Sequence, residues 1–201
     1  MTEPHSPQKL ILASGNPGKL REYQLLAAGR AELELELLPG FSAIPEFPED
    51  APTFAENAAG KALYYSKHSD GLVFADDSGL VVPSLGGAPG VLSARYAGPG
   101  ASSEQRNAKL LEEMRGKTGA QRAAYFVCVI TLTKRGQCLA VLSGKVDGEI
   151  LSQPRGTGGF GYDPVFYFPQ LGKSFAELNA EEKNQHSHRG KAFRRLMEIL
   201  K

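Results

Sequence analysis

Apolar residues in this chain come in short runs separated by turn-rich stretches. Lys9 to Ala13 (Lys-Leu-Ile-Leu-Ala) reads as a short buried strand over 9–13. Leu20, Tyr23 and Ala27 fall at helical spacing and predict a helix over Lys19–Ala28. Alternating Leu and Glu from Glu32 to Leu38 predict a half-exposed strand. Thr53-Phe54-Ala55-Glu56 has the form of a capping box opening a helix that runs through Lys67. Gly71 to Pro83 is an apolar stretch interrupted by Asp76 and Asp77, which predicts strands near 72–76 and 80–83. A helix follows over Ser103–Arg115. Strands near 123–133 and 138–147 turn at Arg135-Gly136. A last helix over Arg189–Lys201 carries the stripe Phe193, Leu196, Met197 and Leu200. Strands and helices mix without a strict βαβ alternation, which predicts an α/β fold with a mixed sheet. No repeat, linker or low-complexity segment divides the 201 residues, so they form a single domain of moderate size or two lobes. Met1 to Gln8 is polar, has two prolines and no signal-peptide core, and reads as a frayed, disordered tail.

Between these elements lie the candidate chemical groups. The richest is Thr157-Gly158-Gly159-Phe160-Gly161-Tyr162-Asp163-Pro164. Its glycines admit positive φ and close approach of a ligand. Phe160 and Tyr162 offer flat faces, and Asp163 offers an acceptor. Such a loop suits a purine base, or else it is a turn whose rings belong to the core. Ser14-Gly15-Asn16-Pro17-Gly18-Lys19 joins the first strand to the first helix, an arrangement that points backbone N–H groups at an anion. It is neither a P-loop nor a dinucleotide fingerprint. Lys19 in a first helical turn is unfavourable unless an anion lies close by.

Charge inside a strand is costly unless it is paired or bound to metal, so Asp76 and Asp77 stand out. Adjacent strand residues point to opposite faces. One of the two therefore faces a site while the other supports it, and the pattern leaves open which is which. A carboxylate capping a turn at Ser78-Gly79 is the structural alternative. Glu46, Glu49 and Asp50 lie in an extended loop with three prolines, where solvated carboxylates are the common case. Lys183, His186, His188, Arg189 and Lys191 bunch around the start of the last helix, where cations oppose the helix dipole. Either an anionic or electron-rich ligand or a solvated basic face accounts for them.

Composition sets limits on partners. The formal net charge is +1 and 41% of residues are hydrophobic. No polyanion-binding surface is implied, so no nucleic-acid partner is expected. The apolar run Ala123 to Leu132 is too short to span a bilayer, so no membrane partner is expected either. Cys128 and Cys138 sit about five residues apart along the predicted hairpin, roughly 17 Å at strand rise. A disulfide is not expected, and a reducing cytoplasm fits. No zinc-type spacing exists, so a metal here would be a hard ion on carboxylate oxygens.

Six blocks together resemble the inosine/xanthosine triphosphate pyrophosphatase family of house-cleaning enzymes. They are Ser14 to Lys19, Thr53 to Asn57, Ala75 to Leu80, Leu85 to Tyr96, Gly156 to Pro164 and Ser187 to Ala192, in the family's order. The resemblance implies a long curved sheet flanked by helices, two lobes with a central substrate cleft, and a homodimer. It implies hydrolysis of ITP, dITP or XTP to the monophosphate and pyrophosphate. By the same resemblance Glu49 and Asp77 are ligands of Mg²⁺, with Mn²⁺ as the alternative, and Asp77 is the general base. Ser14, Gly15, Asn16, Pro17, Gly18 and Lys19 hold the triphosphate, with Ser78 and Lys183 in the substrate-binding set. Phe160 stacks the base within the loop that includes Gly161 and Tyr162. Asp163, His188 and Arg189 read the base edge. Two other readings are a purine nucleotide sensor without turnover and a pyrimidine house-cleaner of similar fold. The presence of both Glu49 and Asp77 weighs against the first, and the Phe160–Asp163 and Ser187–Arg189 blocks against the second.

Overall fold

The computed structural model describes residues 6–200. Seven strands form one sheet in the order β2-β1-β3-β4-β5-β6-β7. These are β1 (Gln8–Leu12), β2 (Leu33–Leu37), β3 (Leu72–Val81), β4 (Ala123–Lys134), β5 (Gln137–Ile150), β6 (Phe166–Phe168) and β7 (Lys173–Ser174). Strand β1 is parallel to both β2 and β3, whereas β6 is antiparallel to β5 and β7. The sheet is therefore mixed, as the irregular alternation of elements predicts. Among the described residues five α-helices accompany it: α1 (Pro17–Ala27), α2 (Phe54–Tyr65), α3 (Ser103–Glu113), α4 (Ala180–His186) and α5 (His188–Ile199). The β4–β5 hairpin turns through Arg135 at φ 49° and Gly136 at φ 75°. Two central residues at positive φ give the turn whose twist matches that of paired strands.

The chain partitions into two compact units, neither of them contiguous in sequence. Unit 1 comprises Met1–Asp77, Val129–Ser143 and Ala192–Lys201; unit 2 comprises Ser78–Cys128 and Gly144–Lys191. Unit 1 buries Ile11, Ala13, Leu38, Ala62, Tyr65, Val73 and Ala75 together. Beside them Tyr23 meets Phe74 edge-on at 5.1 Å and lies 5.6 Å from Phe193, spacings favourable for aromatic pairs. Unit 2 is built on Leu80, Val82, Leu110, Phe126, Val146, Phe166 and Phe175.

Several expectations need correction. Residues 72–81 form one uninterrupted strand, so Asp76 and Asp77 lie within it and Ser78-Gly79 is no turn. Helix α1 begins two residues earlier than predicted because Pro17, with its preset φ, occupies the first turn behind an Asn16 cap. Helix α2 ends at Tyr65 and tightens into a 3₁₀ turn over Ser66–His68. Its capping box is half made: Thr53 Oγ1 accepts from Glu56 N at 3.2 Å, but the Glu56 carboxylate accepts from the Thr53 hydroxyl at 2.7 Å instead of from the Thr53 backbone. Helix α4 was not anticipated. Gln8 belongs to β1, where it pairs with Leu33, so a tail over 1–8 is too long; residues 1–5 lie outside the described ones. Cys128 is a buried thiol and Cys138 an exposed one. Among the described residues no helix is long and apolar enough to cross a membrane.

Candidate active site

In unit 1, β1 delivers the chain to Ser14, which is buried, and its Oγ accepts from Asn16 N at 3.3 Å. Asn16 Oδ1 accepts from Gly18 N at 2.9 Å and from Lys19 N at 3.1 Å. These are two of the helix-start donors that the sequence offers to an anion, and here the asparagine cap holds them. Those two amides are therefore not the free donors that the sequence pattern suggests. Lys19 has a different partner from the one expected. Its Nζ lies 3.1 Å from Asp76 Oδ2 and 3.2 Å from the Asp76 carbonyl oxygen. A cation in the first turn is thus balanced by a carboxylate with no exposed surface.

Asp77 takes a separate partner, accepting from Asn57 Nδ2 at 3.1 Å. The two aspartates do not form one dyad, as strand alternation predicts. Burial pushes the Asp77 carboxyl up to about 6; Lys19 and the Asn57 amide oppose that rise, while Glu49 and Asp76 add to it. Glu49, half-buried in the proline-rich loop, pairs with Lys61 Nζ at 2.5 Å. Burial disfavours the Lys61 charge, but attraction by Glu49, Asp76 and Asp77 outweighs it and holds Lys61 above its ordinary value.

The sequence reading missed Lys61 and gave Asn57 no role. A signal existed: they stand four apart, on one face of α2. Asn57 also receives the Ala51 N–H at 2.9 Å and donates to Ala51 O at 3.2 Å. It thus fastens the acidic loop to the helix that reaches Asp77.

Carboxylate oxygens are the donor set of a hard divalent ion. Among the described residues no three Asp, Glu, His or Cys side chains form a ready cage. Mg²⁺ does not require such a cage, because it commonly takes one or two carboxylates and fills its octahedron with water and substrate phosphate. Glu49 and Asp77 lie close enough for the charge of one to raise the proton affinity of the other, a repulsion that a cation between them would relieve.

In unit 2, the loop after β5 carries the predicted base-binding residues. Phe160 is half-buried. The Lys183 ammonium sits 4.8 Å and the Arg189 guanidinium 5.6 Å from its ring centroid, within cation–π range. Asp163 is buried, and its Oδ2 accepts from Phe160 N at 2.7 Å and from Lys183 Nζ. Its carboxylate therefore closes the loop on itself. Gly159, at φ 69°, is where that closure demands glycine, because an added Cβ would run into Asp163 Oδ2. Gly161 turns at φ 64°. Tyr162 does not offer a stacking face: its ring is in the unit 2 core and its hydroxyl donates to Ser93 O at 2.9 Å.

Helix α4 places Lys183 in its last turn, and Ser187 separates it from α5, which begins at His188 and Arg189. The His188 ring lies flat against Phe126, 4.7 Å between centroids and 12° between planes, so one of its faces is committed to packing. Arg189 is 2% exposed, and its Nη2 donates to Ser78 Oγ at 2.9 Å. Phe160, Asp163, Lys183, Ser78 and Arg189 are thus brought into one connected group.

Comparison with known proteins places these residues in context. A model of the Ham1 family matches residues 10–199. A dITP/XTP pyrophosphatase of Thermus thermophilus is 50% identical over 96% of this chain and 92% of its own length. A dITP/XTP pyrophosphatase of Geobacillus kaustophilus is 48% identical over 95% and 93%. Among solved structures, a HAM1 protein from Coxiella burnetii superposes with a TM-score of 0.85 at 41% identity, covering 96% of this chain and 98% of that one.

Proposed function

The chain belongs to the Ham1 family, and from that membership we propose that it hydrolyses deaminated purine nucleoside triphosphates, dITP, ITP and XTP, to the monophosphate and pyrophosphate. The relatives named dITP/XTP pyrophosphatase support this substrate class. The structural observation that carries the chemistry is Asp77, a buried carboxylate oriented by Asn57 within an array of two lysines and two further acids.

In this reading a water oxygen bonds to the α-phosphorus while the bond from that phosphorus to the bridging oxygen breaks, and pyrophosphate leaves. Asp77 accepts the water's proton. The ionised carboxylate is the form able to accept that proton, and Asp77 is ionised at neutral pH. Lys19 and Lys61, held at Asp76 and Glu49, supply positive charge for the phosphate oxygens as pyrophosphate develops. Mg²⁺, or Mn²⁺ in its place, held by Glu49 and Asp77, would neutralise phosphate charge and lower the pKa of the attacking water.

The base would lie on Phe160. Arg189 would donate to the 6-keto oxygen of hypoxanthine or xanthine, where adenine carries an amino group. A buried donor left unmatched by the wrong base is the strongest basis for rejecting it. Action as a homodimer in the cytoplasm, without nucleic-acid or membrane partners, completes the proposal.

A substrate panel with Mg²⁺ tests this reading, with nucleotide, pyrophosphate and orthophosphate resolved separately. ITP or XTP should give the monophosphate and pyrophosphate, and EDTA should stop the reaction. Release of orthophosphate with a diphosphate product, or full turnover in EDTA, would overturn it.

A further inference from the structure

Helix α3 is strongly polar (Ser-Glu-Gln-Arg-Asn-Ala-Lys-Leu-Leu-Glu-Glu), and the residues it buries are Asn107 and Leu110. An asparagine inside a helix is a poor helix former, and a buried amide is costly without partners. Asn107 is 6% exposed. Its Nδ2 donates to the carbonyl oxygen of Gly161 at 3.1 Å, across 54 residues of chain, while its Oδ1 is buried with no hydrogen-bond partner. Leucine at this place would favour the helix and remove that oxygen, but would also take the donor away from the Gly161 carbonyl, so the contact to Gly161 is what the asparagine adds.

Gly161 is the left-handed residue directly after Phe160. Its carbonyl orientation sets the path of the chain on the far side of the ring, while the Asp163 carboxylate sets the near side through Phe160 N. One residue further on, Tyr162 is tied to Ser93. Asn107 is thus the side-chain contact through which α3 grips the loop at the turn following the aromatic ring. Nothing in the reaction chemistry uses it.

We propose that Asn107 is a positioning residue for base recognition: it fixes the Gly161 peptide so that Phe160 is presented in a single orientation. This rests on the function proposed above. The role concerns binding of the base, so it should appear in KM and leave kcat almost untouched. One neutral hydrogen bond lost from a preorganised loop corresponds to a rise of about three- to tenfold in KM.

Asn107→Leu is the direct test, with Asn107→Ser as a second variant if leucine is not accommodated. Three quantities are read: thermal midpoint, KM and kcat for ITP, and hydrogen–deuterium exchange of peptides spanning 156–165. The expected result is a midpoint unchanged or raised in Asn107→Leu, KM for ITP raised about three- to tenfold, kcat within about twofold, and faster exchange confined to the loop. A folded variant with wild-type KM and wild-type loop exchange overturns the proposal. So does a variant whose kcat falls as much as its KM rises, since that would make Asn107 part of the chemistry. If the wild-type protein does not convert ITP to the monophosphate and pyrophosphate, the functional reading fails; loop exchange unchanged in Asn107→Leu would separately sink the anchoring role.

Discussion

Asn57 Nδ2 donates to Asp77 Oδ2 at 3.1 Å, and the same amide group donates to the Ala51 carbonyl of the acidic loop. One side chain on α2 therefore orients the proposed base and holds the segment that carries Glu49. Asp77→Asn should preserve this contact through the remaining oxygen and still lose turnover, by about 10²–10⁴-fold for the general-base part alone. Substrate binding, measured with a non-hydrolysable ITP analogue, should survive. A folded Asp77→Asn enzyme with near-normal kcat would remove Asp77 from its assigned role.

Asp76→Asn should behave differently, because Asp76 holds Lys19. The variant keeps an acceptor for the lysine but loses the charge that fixes it inside the protein. A raised KM for every triphosphate tested, with a smaller effect on kcat, is expected. The check is whether ITP and ATP are affected by similar factors, as a contact to phosphate requires.

Base choice should reside in Arg189. Arg189→Ala is expected to lower kcat/KM for ITP strongly and for ATP little, narrowing their ratio, whereas Lys19→Ala lowers both alike. Arg189 is almost fully buried and bonded to Ser78, so Ser78→Ala serves as a control for lost packing and lost anchoring. An unchanged ITP:ATP ratio in folded Arg189→Ala would assign the guanidinium to the structure.

The stability of the metal-free protein should depend on pH through Asp77. Its carboxyl binds a proton more tightly when folded, at about 6, than an ordinary aspartate does at 3.8. The stabilising contribution is therefore full below about pH 4 and lost as pH rises through about 6. A difference of about two pH units corresponds to about 3 kcal/mol. Melts in EDTA should show Asp77→Asn gaining on the wild type between about pH 4 and 7.5. Mg²⁺ at the upper pH should restore the wild type alone, because the ion favours the charged carboxylate. Parallel curves for the two proteins would contradict this.

Gly159→Ala should uncouple the base loop from the rest of unit 2. The new methyl runs into Asp163 Oδ2 at a φ of 69°, and strain of this kind costs on the order of 1–3 kcal/mol. Activity on ITP should fall while the core retains its melting behaviour apart from a modest shift. Full activity would mean that the closure between Asp163 and Phe160 N is dispensable.

Elements with an apolar rhythm of their own were legible in the sequence. Strand β1, helix α2 and the β4–β5 hairpin carry their patterns and turn residues openly. Two elements were misread because polar residues do the work there. The charges of Asp76 and Asp77 looked like a break in a strand, yet Lys19 and Asn57 supply their partners from distant segments. Helix α4 has seven residues and little apolar surface, and its sign was the pair Asn179 and Glu182, which forms a capping box. The site residues recognised as blocks, such as Phe160 and Arg189, fall together within unit 2. Lys61 and Asn107 escaped notice because each is one polar residue among many on its helix, and only the folded chain reveals which of them turns inward.

The division of the chain into non-contiguous stretches bears on how it is made. Unit 2 has all of its segments once synthesis passes Lys191, but unit 1 still lacks its last one. Phe193, which packs on Tyr23 and Phe74, follows every segment of unit 2 in the chain. Tyr23 and Phe74 must therefore wait until the whole of unit 2 has been synthesised before Phe193 can complete their aromatic cluster.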